Sequence, residues 1–124
     1  MTRMIQLKRV YDAPAKADGT RFLVERLWPR GIKKSDLSGV AWLKEIAPST
    51  ELRKWFHHDP ERWSEFRKRY FDELQQQREA LSPILTAAQR GTVTLLYSSH
   101  DTEHNNAVAL REFLERSLHR SHSA

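Results

Sequence analysis

The chain has 124 residues and a formal charge of +5 at pH 7, enough for one domain and too little for two. It contains no cysteine, which excludes disulfides, thiolate nucleophiles and thiolate metal sites and fits a reducing compartment. Met1–Lys8 holds no apolar run of signal-peptide length, and no stretch approaches the roughly 20 apolar residues of a membrane span, so a cytoplasmic location is expected.

Met4–Val10 alternates, with Ile5, Leu7 and Val10 apolar, and is expected to form a first strand. Tyr11–Thr20 carries Asp12, Pro14, Asp18 and Gly19 and is expected to be a loop. Phe22-Leu23-Val24 is a continuous apolar run that suits a strand buried on both faces of a parallel sheet. Pro29 and Gly31 end regular structure after it. Lys33–Ser38 suits a short helical turn, and Val40–Ile46 fits strand and helix equally well. Ser49 is placed to cap a short helix over Thr50–Phe56.

Asp59-Pro60 marks a helix start, with Asp accepting at the cap and Pro where no N–H is needed. Trp63, Phe66, Tyr70, Leu74 and Leu81 then form one stripe, which predicts an amphipathic helix of about five turns. Pro83 opens a further segment, Ile84–Gln89, closed by Gly91. Thr92–Tyr97 is the clearest strand, and Ser98–Thr102 a polar loop. A last helix should follow, with Ala107, Leu110, Leu114 and Leu118 on one face. Residues 1–118 thus read as one compact α/β domain, a small mostly parallel sheet flanked by helices, and residues 119–124 as a frayed polar tail.

In open parallel sheets, ligands bind beyond the carboxyl ends of the strands. If Phe22–Val24 and Thr92–Tyr97 run parallel, the polar segments after them share a rim. Arg26 and Arg30 would then clamp a phosphate or carboxylate, beside Trp28, Ser98, Ser99 and a helix start near His104-Asn105. Asp101 and His104 are the acid/base candidates. Plainer roles compete: Arg26 as an ion-pair partner of Asp101, Asp101 as a cap, Trp28 as filler, and the serines as ordinary loop residues without the glycine-flanked elbow of a nucleophile.

His57-His58-Asp59 and His100-Asp101-x-x-His104 could supply metal ligands, but the second lacks the glutamate of zinc helix motifs, and no metal site is assigned. There is no Walker loop and no G-x-G-x-x-G, so no cofactor is named. Arg62, Arg67, Lys68 and Arg69 alternate with Glu61, Glu65, Asp72 and Glu73, the pattern of a solvated helix face.

Arg9–Asp12 (RVYD), Phe22–Lys34 (FLVERLWPRGIKK), Trp42–Trp63 (WLKEIAPSTELRKWFHHDPERW), Phe66–Tyr70 (FRKRY) and Thr94–Ala107 (TLLYSSHDTEHNNA) resemble the YeaO-like family of bacterial proteins, catalogued as a domain of unknown function. The resemblance covers roughly residues 4 to 118 and implies a compact α/β fold, with no established activity to carry over. The family's recurrent polar positions correspond here to Arg26, Trp28, Arg30, Lys44, Ser49, Arg53, His58, Asp59, Asp101, His104 and Asn105. This chain has Glu25 where the family more often has Asp, and His100 where it has Lys. Wider relatives use a Cys near the end of the last strand, where this chain has Tyr97, so thiol chemistry does not transfer.

The first functional reading is a protein for a small anionic ligand, with the question of catalysis open. The alternative is nucleic-acid binding, motivated by the basic charge. A third reading is a non-catalytic interaction module, monomer or homodimer, using exposed aromatics such as Trp55 and Phe56. No membrane partner is expected.

Overall fold

The computed structural model describes residues 5–123, with side chains placed through residue 119. Met4, assigned to the first strand by pattern, lies outside this range. Four strands, β1 (Ile5–Arg9), β2 (Thr20–Leu23), β3 (Ala41–Trp42) and β4 (Val93–Tyr97), form one sheet in the order β1-β4-β2-β3. Every pairing is parallel. Leu95 of β4 sits between Leu7 of β1 and Phe22 of β2. All of β4 is buried, as expected for an apolar run at the centre of a parallel sheet.

Side chains alternate across the pleat and so divide between two cores. Phe22, Val93, Leu95 and Tyr97 join the main cluster with the four helices. Leu23 and Leu96 turn to the other face and pack with Val10, Leu37, Trp28, Ile32 and Val40. The second face is therefore covered by the irregular segment after β2.

Helix α1 (Thr50–Phe56) has the bounds its sequence predicts, and the Ser49 hydroxyl accepts from the Leu52 N–H at 3.1 Å. Two long-range anchors fix it. The Ser49 N–H and hydroxyl donate to the two Glu73 carboxylate oxygens at 2.8 and 2.6 Å, and the buried Tyr70 hydroxyl donates to the Ile46 carbonyl at 2.6 Å. Both partners belong to helix α2 (Trp63–Gln75).

The predicted five-turn helix is a composite. Asp59-Pro60 opens a 3-10 turn, Pro60–Arg62, which runs into α2. After Gln75 the chain tightens: the Gln76 N–H reaches Glu73 and the Gln77 N–H reaches Leu74, three residues back. A 3-10 turn at Arg78–Leu81 follows before helix α3 (Ser82–Arg90). Leu81 stays buried, so the stripe of apolar positions is real although the helix is not continuous. Val40–Ile46 resolves into both of its alternatives, the short edge strand β3 and a 3-10 turn at Lys44–Ile46.

Helix α4 spans Asn106–Ser123. It runs past Leu118 to Ser123, into the segment read as a frayed tail.

One glycine is obligatory. Gly19 has φ +65°, and a Cβ there would lie 2.1 Å from the Thr92 carbonyl oxygen. Beside it the Thr20 N–H donates to that oxygen at 3.0 Å, joining the start of β2 to the approach to β4. The preceding Asp18 is buried and takes the Lys8 ammonium at 2.8 Å and the Ala15 N–H at 2.9 Å. These bonds hold its carboxyl below the ordinary range, with Lys8 the larger cause.

Candidate functional site

Because β2 and β4 run parallel, the segments that leave their carboxyl ends meet on one rim. A cavity of about 500 Å³ opens there. Glu25, Arg26 and Leu27 contribute from the end of β2, and Ser98, Ser99, His104, Asn105 and Asn106 from the end of β4. The remaining wall comes from α1 and its flanks, including Pro48, Arg53, Lys54, His57 and His58.

Glu25 is half-buried, and its carboxylate accepts from the Ser98 N–H at 3.2 Å and from the Ser98 hydroxyl. Burial pushes its pKa up, against the opposing pull of those hydrogen bonds and of the nearby Arg53. Arg53 and Lys54 line the same cavity. Among the described residues, neither side-chain cation donates a hydrogen bond or enters an ion pair. His57 and His58, the next wall residues, both have positive φ, +47° and +54°. His57 stops α1, its N–H donating to the Arg53 carbonyl. Two successive non-glycine residues in the left-handed region store backbone strain at the cavity wall.

A model of the family described as "Inactive DUF488-N3 subclade" matches residues 4–124. The chain belongs to this subclade. It is 49% identical to the "Uncharacterized protein YeaO" of Escherichia coli over 92% of this chain and 98% of the relative. It is 39% identical to an uncharacterized protein of Mycobacterium tuberculosis over 89% of this chain and 92% of the relative. No solved structure matches.

In this DUF488-N3 chain the residues selected from sequence separate into two groups. Arg26, Ser98, Ser99, His104 and Asn105 reach the cavity wall, whereas Trp28 and Arg30 do not. Arg26 is committed to the backbone: its Nε and Nη2 donate to the Pro48 and Ala47 carbonyls at 2.9 and 3.0 Å. It fastens the segment before α1 to the end of β2 and makes no pair with Asp101. Trp28 donates its indole N–H to the Ile32 carbonyl at 2.7 Å and packs edge-on against Trp42, on the second core. Arg30 is exposed, and its carbonyl accepts from the Tyr11 hydroxyl at 2.9 Å. The two arginines therefore form no clamp.

The start of the last helix also shifts. Helix α4 begins at Asn106, so His104 stands ahead of it. Asn105 is the cap: its side-chain oxygen accepts from the Val108 N–H at 3.0 Å, and its amide donates to the Asp101 carbonyl at 2.8 Å. Both ends of that buried amide are used within the chain. Asp101 instead organises the preceding turn, Oδ1 accepting from the Glu103 and His104 N–H groups, both at 2.9 Å. These bonds, Glu103 first, hold its carboxyl low. Asp101 Oδ2 lies 3.1 Å from His104 Nδ1, and the His104 ring meets Trp63 edge-on.

Arg9 sets the loop between β4 and this turn, donating from Nε to the Ser99 carbonyl at 3.0 Å and from Nη2 to the Ser98 carbonyl at 3.4 Å. The sequence places Arg9 at the end of the first strand, and the pairing of that strand with β4 carries it to this loop. Lys54 was the larger omission, and Arg53 entered only as a recurrent polar position of the family, since a short helix distant in sequence carries no local sign of docking over the rim. Phe56 is buried in the main core and Trp55 is half-buried between Arg62 and Arg69, so neither is the exposed aromatic of the interaction-module reading. Among the described residues, no three His, Asp or Glu side chains converge as a metal-binding group. None of the described helices is long and apolar enough to cross a membrane.

Proposed function

We propose that this protein binds a small anionic ligand, phosphate- or carboxylate-bearing, in the cavity at the strand carboxyl ends, and acts by binding rather than turnover. One observation carries the reading: Arg53 and Lys54 line a concave site without hydrogen-bond or ion-pair partners among the described residues. An anion there would supply charge-assisted acceptors that the chain itself does not provide. The cavity's size falls within the range of small-molecule sites. His104, held through Nδ1 by Asp101, would present Nε2 as a further polar contact.

Binding is favoured over turnover by the family description, "Inactive", and by the lack of any thiol at the end of β4, which closes on Tyr97. The nucleic-acid alternative is weakened by the ion pairs on α2 and between its neighbours. Arg69 pairs with Glu65, Arg62 with Asp59, and Arg67 and Arg116 converge on Glu112.

The test is a thermal-shift and calorimetric screen of phosphate, phosphorylated metabolites, carboxylates and nucleotides at low salt. At least one anion should stabilise the wild type, and the Arg53→Ala/Lys54→Ala double variant should lose that shift while its unliganded midpoint stays within a few degrees. Absence of any shift in the wild type, or equal shifts in both proteins, overturns the proposal.

A further inference from the structure

The cavity is not uniformly basic. Beside its free cations it holds Glu25, a carboxylate that an anion would normally avoid. A half-buried carboxylate is costly unless its lone pairs are filled. A carboxylate has about four acceptor positions. Among the described residues, Ser98 is the only donor residue here, giving its N–H at 3.2 Å and its hydroxyl. Arg53 acts on Glu25 through charge alone and makes no hydrogen bond to it. Among the described residues, the same cavity therefore sets two exposed cations without a protein acceptor, Arg53 and Lys54, next to an acceptor whose capacity is only partly used. A bare anion answers the first need and aggravates the second.

We infer that the ligand is amphoteric: an anionic group for Arg53 and Lys54, joined to an amine or comparable hydrogen-bond donor that is read by Glu25. This rests on the anion-binding reading and names its ligand class. Glu25 is then the specificity-determining residue, rewarding a donor and repelling the anion that lacks one. A cavity of about 500 Å³ leaves room for both groups. The turn that follows β4 keeps Ser98 aimed at Glu25, because Arg9 holds the Ser98 and Ser99 carbonyls from the β1 side.

A matched pair of probes separates this inference from its foundation. Calorimetry with 2-aminoethyl phosphate and ethyl phosphate, at one pH and ionic strength, compares ligands that differ by a single ammonium group. The wild type should bind the amino probe at least about tenfold more tightly, the scale of one charge-assisted hydrogen bond. Glu25→Gln should erase most of that preference by weakening the amino probe while ethyl phosphate binds as well or better. Arg53→Ala/Lys54→Ala should weaken both probes together. Equal affinity of the wild type for the two probes overturns the amphoteric assignment and leaves anion binding intact. Binding of neither probe at millimolar concentration overturns both. A preference that survives in Glu25→Gln assigns the donor's partner elsewhere and also overturns the inference. The wild-type comparison needs no variant to fold, and the unliganded melting temperature of Glu25→Gln shows whether its result is interpretable.

Discussion

His104 Nδ1 lies 3.1 Å from Asp101 Oδ2, while Oδ1 of the same carboxylate receives two main-chain N–H groups. One side chain thus fixes both the turn after β4 and the orientation of a cavity-wall imidazole. Asp101→Ala removes all three contacts and should cost about 1–2 kcal/mol, the usual value of a lost cap with its hydrogen bonds. Asp101→Asn keeps an oxygen for the two N–H groups and should cost less than half as much. Urea unfolding of the two variants measures the difference. Equal costs would place the stabilisation in the charge rather than in the turn.

Acid should weaken the fold through two carboxylates. Asp18 is held low chiefly by Lys8, and Asp101 chiefly by the Glu103 N–H. Both ordinarily titrate near 3.8, so the unfolded chain takes up protons there first. Their contribution is complete above that value and is lost as pH falls through the lower folded values. Denaturation midpoints should therefore drop steeply below about pH 4, and Asp18→Asn should flatten the drop while costing about 1–2 kcal/mol at pH 7.

Glu25 has the opposite sign. Burial raises it above its ordinary 4.5, so its favourable contribution is complete below that value and is lost as pH rises through the folded pKa. Glu25→Gln should melt at a higher temperature than the wild type at pH 7, and the gap should close near pH 4. A lower melting temperature at pH 7 would show that the carboxylate stabilises the empty fold.

Gly19→Ala should be severe. The new Cβ would meet main chain 2.1 Å away, and φ is +65°. The carbonyl it strikes is the one that accepts from Thr20, so relief by movement also breaks the joint between β2 and β4. A loss of about 2–4 kcal/mol is expected, readable by chemical denaturation.

His57→Gly should gain stability, by about 1 kcal/mol, since it removes a side chain from a left-handed helix stop. The same change should weaken anion binding if the imidazole contributes to the cavity. More stability with less affinity would mark His57 as kept for the site and not for the fold.

Much of the frame was readable from pattern. The run Val93–Tyr97 and the capped helix Thr50–Phe56 follow from local composition and periodicity, and the shared rim from the order of elements on the condition, met here, that β2 and β4 run parallel. What escaped depends on contacts between distant residues. Glu73 receiving Ser49, and Arg26 holding the Pro48 and Ala47 carbonyls, decide where α1 lands, and with it Arg53 and Lys54. Such bonds leave no periodic trace. Arg26 shows the converse error: an arginine at the right rim, its planar fork already occupied by main-chain oxygens. The late start of α4 was hidden because Asp101 and Asn105 are both good caps, and only the geometry ranks them.

The strand order β1-β4-β2-β3 has a consequence for biosynthesis. β1 and β2 are separated in the sheet by β4, the strand the ribosome makes last, and until then β2 can pair with β3 alone. Until residues 93–97 emerge, the earlier strands have no common partner, and the growing polypeptide holds their apolar faces open. Closure is thus a late, long-range event, of the kind that makes folding slow and exposes nascent chains to aggregation. Slowing translation should do little to help this protein fold, whereas a holdase bound to the first ninety or so residues should help considerably.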